Sequence, residues 1–131
     1  MNLINSARLD KVSAEAKASP RLRMNFNYHE ALDAPAQRLL NALEVGTVLP
    51  IHRHHHSAET YLLLRGKIAV LYYNESKELT DKVVLDPLTE DYGVHIPIGQ
   101  WHTIEVLEGG SVLFEVKDGP YTPLGEGDIL E

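Results

Sequence analysis

Four histidines fall within five residues, His52, His54, His55 and His56, and Glu59 follows five positions after His54. A further histidine, His102, ends the segment PIGQWH downstream. Neutral imidazole nitrogen and carboxylate oxygen are the usual ligands of a divalent transition metal, so this density of groups points to a metal site. Zinc, iron, nickel and manganese all accept such ligands, and the ligand types do not choose among them. On an extended strand, His52 and His54 are two residues apart and share a face, whereas Arg53 and His55 point away. Glu59 would then arrive after a short reversal, at the start of the next strand, and His102 from a strand distant in sequence. His55 and His56 lie past the ligand pair and are expected to be exposed or to stand behind the ligands without binding the metal. His95 reads as a surface or packing histidine, and Trp101 as core or pocket wall.

The elements that must position these groups are mostly strands. Residues 7–18 have an amphipathic helical pattern with Leu9, Val12 and Ala16 on one face, Ser6 as the expected cap and Pro20 as the stop. From Arg21 to His29 the period is two: Arg21, Arg23, Asn25, Asn27 and His29 alternate with Leu22, Met24, Phe26 and Tyr28. Such a strand has either a solvated outer face or a polar face lining a ligand cleft. Residues 37–45 read as a strand that fits neither period cleanly. Within it, Asn41 would be satisfied by backbone or would support a ligand. Residues 60–64 and 68–73 are dense in β-formers and break at Arg65-Gly66, which reads as a hairpin. Residues 74–81 read as a loop and 83–85 as a short strand closed by Asp86-Pro87. Residues 93–97 lead into Gly99, and 102–107 and 112–117 flank Gly109-Gly110, a second hairpin signal. The tail from Gly119 carries Pro120 and Pro123 and can form neither a helix nor a central strand, so it is expected to lie over the barrel or reach a partner. The pattern predicts an all-β barrel or sandwich with one N-terminal helix, divided into an N-terminal helix and strand (1–30), a barrel (31–118) and a tail (119–131).

At 131 residues the chain is expected to fold as one domain, without cross-links. It contains no cysteine, which removes disulfide and thiolate-metal readings. Nineteen acidic against twelve basic residues give a formal charge of -7, which argues against nonspecific nucleic-acid or anionic-membrane binding. A small anionic ligand is compatible with it, because Arg21, Arg23 and Arg38 could act locally. No secretory or membrane-spanning segment is evident, so a cytoplasmic protein is expected.

With these residues in place the chain resembles a known superfamily. Gly46, His52, His54, Glu59 and Gly66 match the first cupin motif at every position and spacing, and Pro97, Gly99 and His102 match the core of the second. The second motif departs at Asp91, where its opening glycine would stand and Gly93 is nearest, and at Val106, its closing asparagine position. More closely, RLRMNFNYH, QRLLNALEVGTVLPIHRH, PIGQWH and EVKDGPYTP are similar to the WbuC family of cupin-fold metalloproteins, over about residues 8–124, with Ile51 standing where a proline is expected. The resemblance implies a single cupin (double-stranded β-helix, jelly-roll) barrel with a short N-terminal helix. It also implies a divalent metal on His52, His54, Glu59 and His102, and a link to bacterial O-antigen or other polysaccharide metabolism.

Alternation would place Glu59, Tyr61 and Leu63 on the inward face, together with His102, Ile104 and Val106, leaving a mainly apolar interior with few polar handles. Tyr61 and His29 are the candidates for proton transfer, and Arg23, Asn27 and Arg38 for binding substrate, provided the N-terminal strand joins the rim. A metal-dependent isomerase or epimerase acting on a sugar-like molecule is the favoured reading. A non-catalytic carbohydrate- or anion-binding module, or an iron-dependent oxygenase, stands as the alternative. Exposed strand edges make a homodimer the expected assembly.

Overall fold

The computed structural model describes residues 1–130. Helix α1 (Ser6–Ala18) begins one residue before the expected start, because Asn5 rather than Ser6 caps it: the Asn5 side chain accepts a hydrogen bond from the Arg8 backbone N–H. The strands are β1 (Arg23–Asn27), β2 (Ala36–Leu43), β3 (Ile51–His52), β4 (Glu59–Arg65), β5 (Ile68–Tyr73), β6 (Leu79–Leu85), β7 (Gly93–Ile96), β8 (Trp101–Val106), β9 (Ser111–Asp118) and β10 (Ile129–Leu130). They form two five-stranded sheets, ordered β1-β2-β9-β4-β7 and β10-β3-β8-β5-β6. Every pairing is antiparallel.

Side-chain alternation assigns the faces. Leu43, Tyr61, Leu63, Ile96 and Leu113 of the first sheet meet Ile68, Val70, Ile104 and Val106 of the second in one core between the sheets. The opposite face of the first sheet, with Leu40, Ala42, Val112 and Phe114, packs with Met24, Phe26 and Tyr28 under Leu9, Val12 and Ala16 of α1. Val12 and Ala16 are fully buried. Each large aliphatic side chain so buried stabilises by roughly 1.5–3 kcal/mol, which offsets the marginal stability of a helix this short. Arg65 pins the helix from below, its Nη1 donating to Asp10 Oδ1 at 2.7 Å and its Nη2 to Ser13 Oγ at 3.2 Å.

Both expected hairpins are corrected. β4 pairs with β7 and β9 while β5 pairs with β6 and β8, so the chain crosses between sheets at Arg65-Gly66. The same happens at Gly109-Gly110, between β8 and β9. Turn residues set the local reversal, but the next strand joins whichever sheet buries its apolar face. The expected loop at 74–81 is shorter, because β6 already begins at Leu79 on backbone pairing with β5. The N-terminal strand is cut back to Arg23–Asn27, with Leu22 held at φ +57 just before it. The tail makes a 3-10 turn at Glu126–Asp128 and then pairs β10 along the edge of β3. No helix is long and apolar enough to cross a membrane.

Gly66, at φ +92, is the tightest of the crossings: a Cβ there would lie 2.2 Å from Ser111 Oγ and 2.6 Å from Ser111 Cα. Gly110 also has positive φ, +75, but a Cβ would meet nothing within 4 Å. Gly110→Ala is therefore expected to cost about 1 kcal/mol from backbone conformation alone, and Gly66→Ala at least about 2–3 kcal/mol because the Ser111 backbone must also move. Urea unfolding of the two variants checks the difference, and equal losses would show that the Ser111 contact does not constrain the crossing.

Candidate metal centre

The four candidate ligands come from four places. His52 ends β3 and pairs in register with His102, the second residue of β8, so their rings lie side by side across the second sheet with centroids 4.3 Å apart and planes tilted by 52°. Glu59 is the first residue of β4 and approaches from the first sheet. His54 differs from the expectation: β3 stops at His52, and His54 sits in the loop beyond it, where its carbonyl accepts from the Gly99 N–H at 2.9 Å. The loop still returns the ring to the cluster, 5.2 Å from His52 between centroids. One ligand-type atom from each of the four residues lies within 4.8 Å of the others.

The chemistry of the donors fits a divalent cation. His52 Nδ1 lies 2.9 Å from the Pro50 carbonyl and His102 Nδ1 2.8 Å from the Gln100 carbonyl. A carbonyl can only accept, so Nδ1 carries the proton in each ring and Nε2 keeps a free lone pair, the arrangement typical of metal-binding histidines. Burial holds both rings below the ordinary imidazole range, His52 at about 4, so both are neutral near pH 7. Glu59 is 3% exposed, and its Oε1 has no aligned hydrogen-bond donor although His54 Nε2 is 2.6 Å away and His102 Nε2 3.7 Å. Burial alone would raise this carboxyl, but contact with His54 and the charge of His54 and His102 outweigh it, bringing Glu59 down to about 2. Ligands about 2.1 Å from a first-row ion are at most about 4.2 Å apart. The widest separation in the cluster, up to 4.8 Å, would have to close by about 0.6 Å or more for all four to bind one ion.

Tyr61 lies in the core at 2% exposure, with its hydroxyl 3.3 Å from His102 Nε2, and burial holds its phenol well above the ordinary range, so it stays protonated. The other candidates are dispersed. His29 follows β1, with Nδ1 3.1 Å from both the N and the O of Arg38. Asn27 shares a cavity with His29. Arg23 is taken up by the 44–50 loop, its Nη1 donating to Thr47 Oγ1 at 3.3 Å and to the Val48 carbonyl at 3.2 Å. Arg38 is exposed and, two residues before Leu40, belongs to the outer face of β2, away from the cluster. His55 and His56 are exposed, and His95 bonds Thr60 Oγ1 on the surface at 2.9 Å. Trp101 is buried, with the Arg53 guanidinium 4.3 Å from its ring centroid.

Two inward charged residues escape the sequence reading. On β9, Leu113, Glu115 and Lys117 share the inner face, while Val112 and Phe114 pack under the helix. Period-two alternation across 111–118 was the signal that could have found them. Glu115 Oε1 accepts from Asn41 Nδ2 at 2.9 Å, so Asn41 serves a buried side chain rather than its local backbone. Burial, reinforced by the charge of Glu59, raises the Glu115 carboxyl to about 7.

The fold and the site together define a cupin-like β protein with a His/Glu cluster that could bind a metal. The chain belongs to the family described as a domain of unknown function, DUF6016, which matches residues 4–85. No curated protein matches the chain. Among solved structures it is similar to the capsular polysaccharide assembling protein CapF from Staphylococcus aureus, at 19% identity and TM-score 0.62 over 76% of this chain. That match covers only 27% of CapF, so the chain corresponds to about a quarter of that protein. It is also similar to the Cnp3 cupin domain of Schizosaccharomyces pombe (13% identity, TM-score 0.59, 73% of this chain and 64% of that one). A putative sugar phosphate isomerase from Acidithiobacillus ferrooxidans matches at 21% identity and TM-score 0.59, over 74% of this chain and 59% of that one.

Because the Glu115 carboxyl is raised in the folded protein, it contributes stability that is full below the ordinary carboxylate pKa and lost as pH rises through about 7. In metal-free protein, the stability of wild type relative to Glu115→Gln is therefore expected to fall between about pH 4.5 and pH 7, by at most about 3 kcal/mol. Chemical denaturation at several pH values measures this, and a pH-independent difference would show that Glu115 is not held neutral.

Proposed function

We propose that this protein binds a divalent transition metal through His52, His54, Glu59 and His102 and acts on a sugar-like small molecule, with isomerisation or epimerisation as the reaction class. The observation that carries the reading is the pair of Nδ1–carbonyl contacts at Pro50 and Gln100, which leave two neutral imidazole nitrogens beside an orphaned carboxylate oxygen. A bound cation would supply Lewis-acid polarisation of a substrate carbonyl or hydroxyl oxygen. His52 and His54 are half-buried and His54 lines an opening to solvent, whereas Glu59 and His102 are buried, so substrate would approach from the His54 side. Tyr61 keeps its proton on the phenol oxygen next to His102 and is the first candidate for donating it. His29, which shares a cavity with Asn27, Glu115 and Lys117, is the second candidate for moving a proton, at its Nε2.

The neighbours described as a capsular polysaccharide assembling protein and a putative sugar phosphate isomerase support a carbohydrate ligand, and the WbuC-like segments support a place in O-antigen or other surface-polysaccharide metabolism. We place the protein in the cytoplasm as a homodimer. A second reading, a metal-dependent binding module without turnover, is favoured by the burial of Glu59 and His102, since a sealed ion can serve stability alone.

Protein purified without a tag or added metal is expected to carry about one equivalent of transition metal by elemental analysis. His52→Ala and His102→Ala should each weaken zinc binding at least tenfold. Chelation should lower stability by about 3 kcal/mol if the ion was present at 100 times its dissociation constant. Stoichiometric binding that survives both substitutions would remove the site. With metal saturating, Tyr61→Phe is expected to slow turnover of an aldose-ketose or epimer pair by about 10²-fold or more without changing zinc affinity. If neither Tyr61→Phe nor His29→Ala altered a measured turnover, the proton-transfer assignment would be wrong.

A further inference from the structure

Beside the metal cluster, the inner face of the first sheet carries a row of polar groups that the reaction outlined above leaves unused. Lys117 pairs in register with Glu59 on one side and Gln37 on the other, and Glu115 with Tyr61 and Leu39. Cross-strand neighbours on one face are about 5 Å apart between Cβ atoms, so both residues adjoin the proposed ligands and their support. Asn25 and Asn27 of β1, His29, Gln37 and Tyr121 complete a cavity of ≈ 120 Å³ around them. This is room for several water molecules rather than one, and hence for part of a small polar ligand. Lys117 also lines the opening at His54, beneath the tail residues Pro120, Thr122 and Asp128. One side chain thus stands between the cluster and the polar cavity.

These groups are not spent on one another. Among the described residues the Lys117 ammonium has no carboxylate partner, and its nearest aromatic contact is the Tyr121 ring at 5.7 Å. Glu115, 9% exposed, uses Oε1 on Asn41, and Asn41 Oδ1 is buried without a donor. Glu115 and the Asn41 amide are buried where packing alone would favour apolar side chains, as at Leu113 on the same strand, because polar groups are costly to remove from water. Asn25 and Asn27, by contrast, are exposed and Lys117 is half-buried, so a solute can reach them. An ammonium suits a carboxylate or phosphate as a point charge. Amides that both donate and accept, together with a carboxyl acceptor, suit hydroxyl groups.

We propose that this cavity is a binding subsite for a polyhydroxylated small anion, in which Lys117 holds the carboxylate or phosphate and Asn25, Asn27 and Glu115 bind the hydroxyls. The proposal deepens the reading of the protein as one that handles sugar-like molecules, and it depends on the metal cluster only for the end of the ligand that lies toward His54.

The test is calorimetric titration of the full chain with D-glucuronate, D-glucose 6-phosphate and neutral D-glucose, on zinc-saturated and on chelator-treated protein. At least one of the two anionic sugars is expected to bind ten times or more tightly than glucose, and which of them does so identifies the carboxylate or the phosphate as the preferred charge. Lys117→Gln should erase that preference, and Asn27→Leu, at an exposed position that tolerates change, should weaken the bound anion at least tenfold. No preference for an anionic sugar, or a preference untouched by both substitutions, overturns the subsite. Its fate is separable from that of the metal reading: Lys117-dependent binding that persists in protein unable to hold zinc keeps the subsite and removes the cation, while stoichiometric zinc with no anionic sugar bound does the reverse.

Discussion

The structure depends on one electrostatic constraint: a carboxylate, Glu59, is held almost out of water where the two sheets meet. Removing an ionised group from water costs several kcal/mol, and the apolar core formed by Leu63, Ile96, Val70 and Ile104 offers no dipole to offset it. Around it stand His54, with Nε2 2.6 Å away, and the rings of His52 and His102, which burial holds neutral with their Nδ1 protons committed to backbone carbonyls. Neutral donors of lone pairs around a carboxylate cannot satisfy one another, and a divalent cation would complete them. The same constraint accounts for the register at this place. The pairing of His52 with His102 and the position of Glu59 at the first residue of β4 bring all the donors to one point.

Strand alternation carries this constraint into the rest of the first sheet. Every second residue of β4 and β9 faces inward, and along both strands these residues grade from aliphatic to polar: Leu63 to Tyr61 to Glu59, and Leu113 to Glu115 to Lys117. The core is therefore apolar at one end and chemically equipped at the other. The outer face of the same sheet is apolar where α1 covers it. The edge strand β1 is held by Met24 and Phe26 packing under the helix, which turns Asn25 and Asn27 toward the inner side. An N-terminal helix that touches none of the metal ligands thus helps to set one wall of the polar cavity.

The tail has a comparable role on the other side. Its prolines and glycines keep it out of the sheet interior, yet β10 reaches the edge of β3 and Asp128 contacts His55, so the chain crosses above the opening at His54. His55 points away from the cluster and anchors this covering segment.

The spacing of His52, His54, Glu59 and His102, the inward set of Tyr61, Leu63, Ile104 and Val106, the helix and most strands were legible in the sequence, because ligand chemistry and side-chain periodicity are local properties of the chain. The destination of each crossing was not. Arg65-Gly66 and Gly109-Gly110 specify a reversal equally well whether the next strand returns to its own sheet or joins the other, and only the burial of the following apolar face decides. For the same reason the sequence could not show that Arg23 is taken up by a loop and Arg38 faces outward, or that Glu115 and Lys117 stand beside Glu59. Those positions depend on strands that are far apart in the chain and become neighbours only when the sheets assemble.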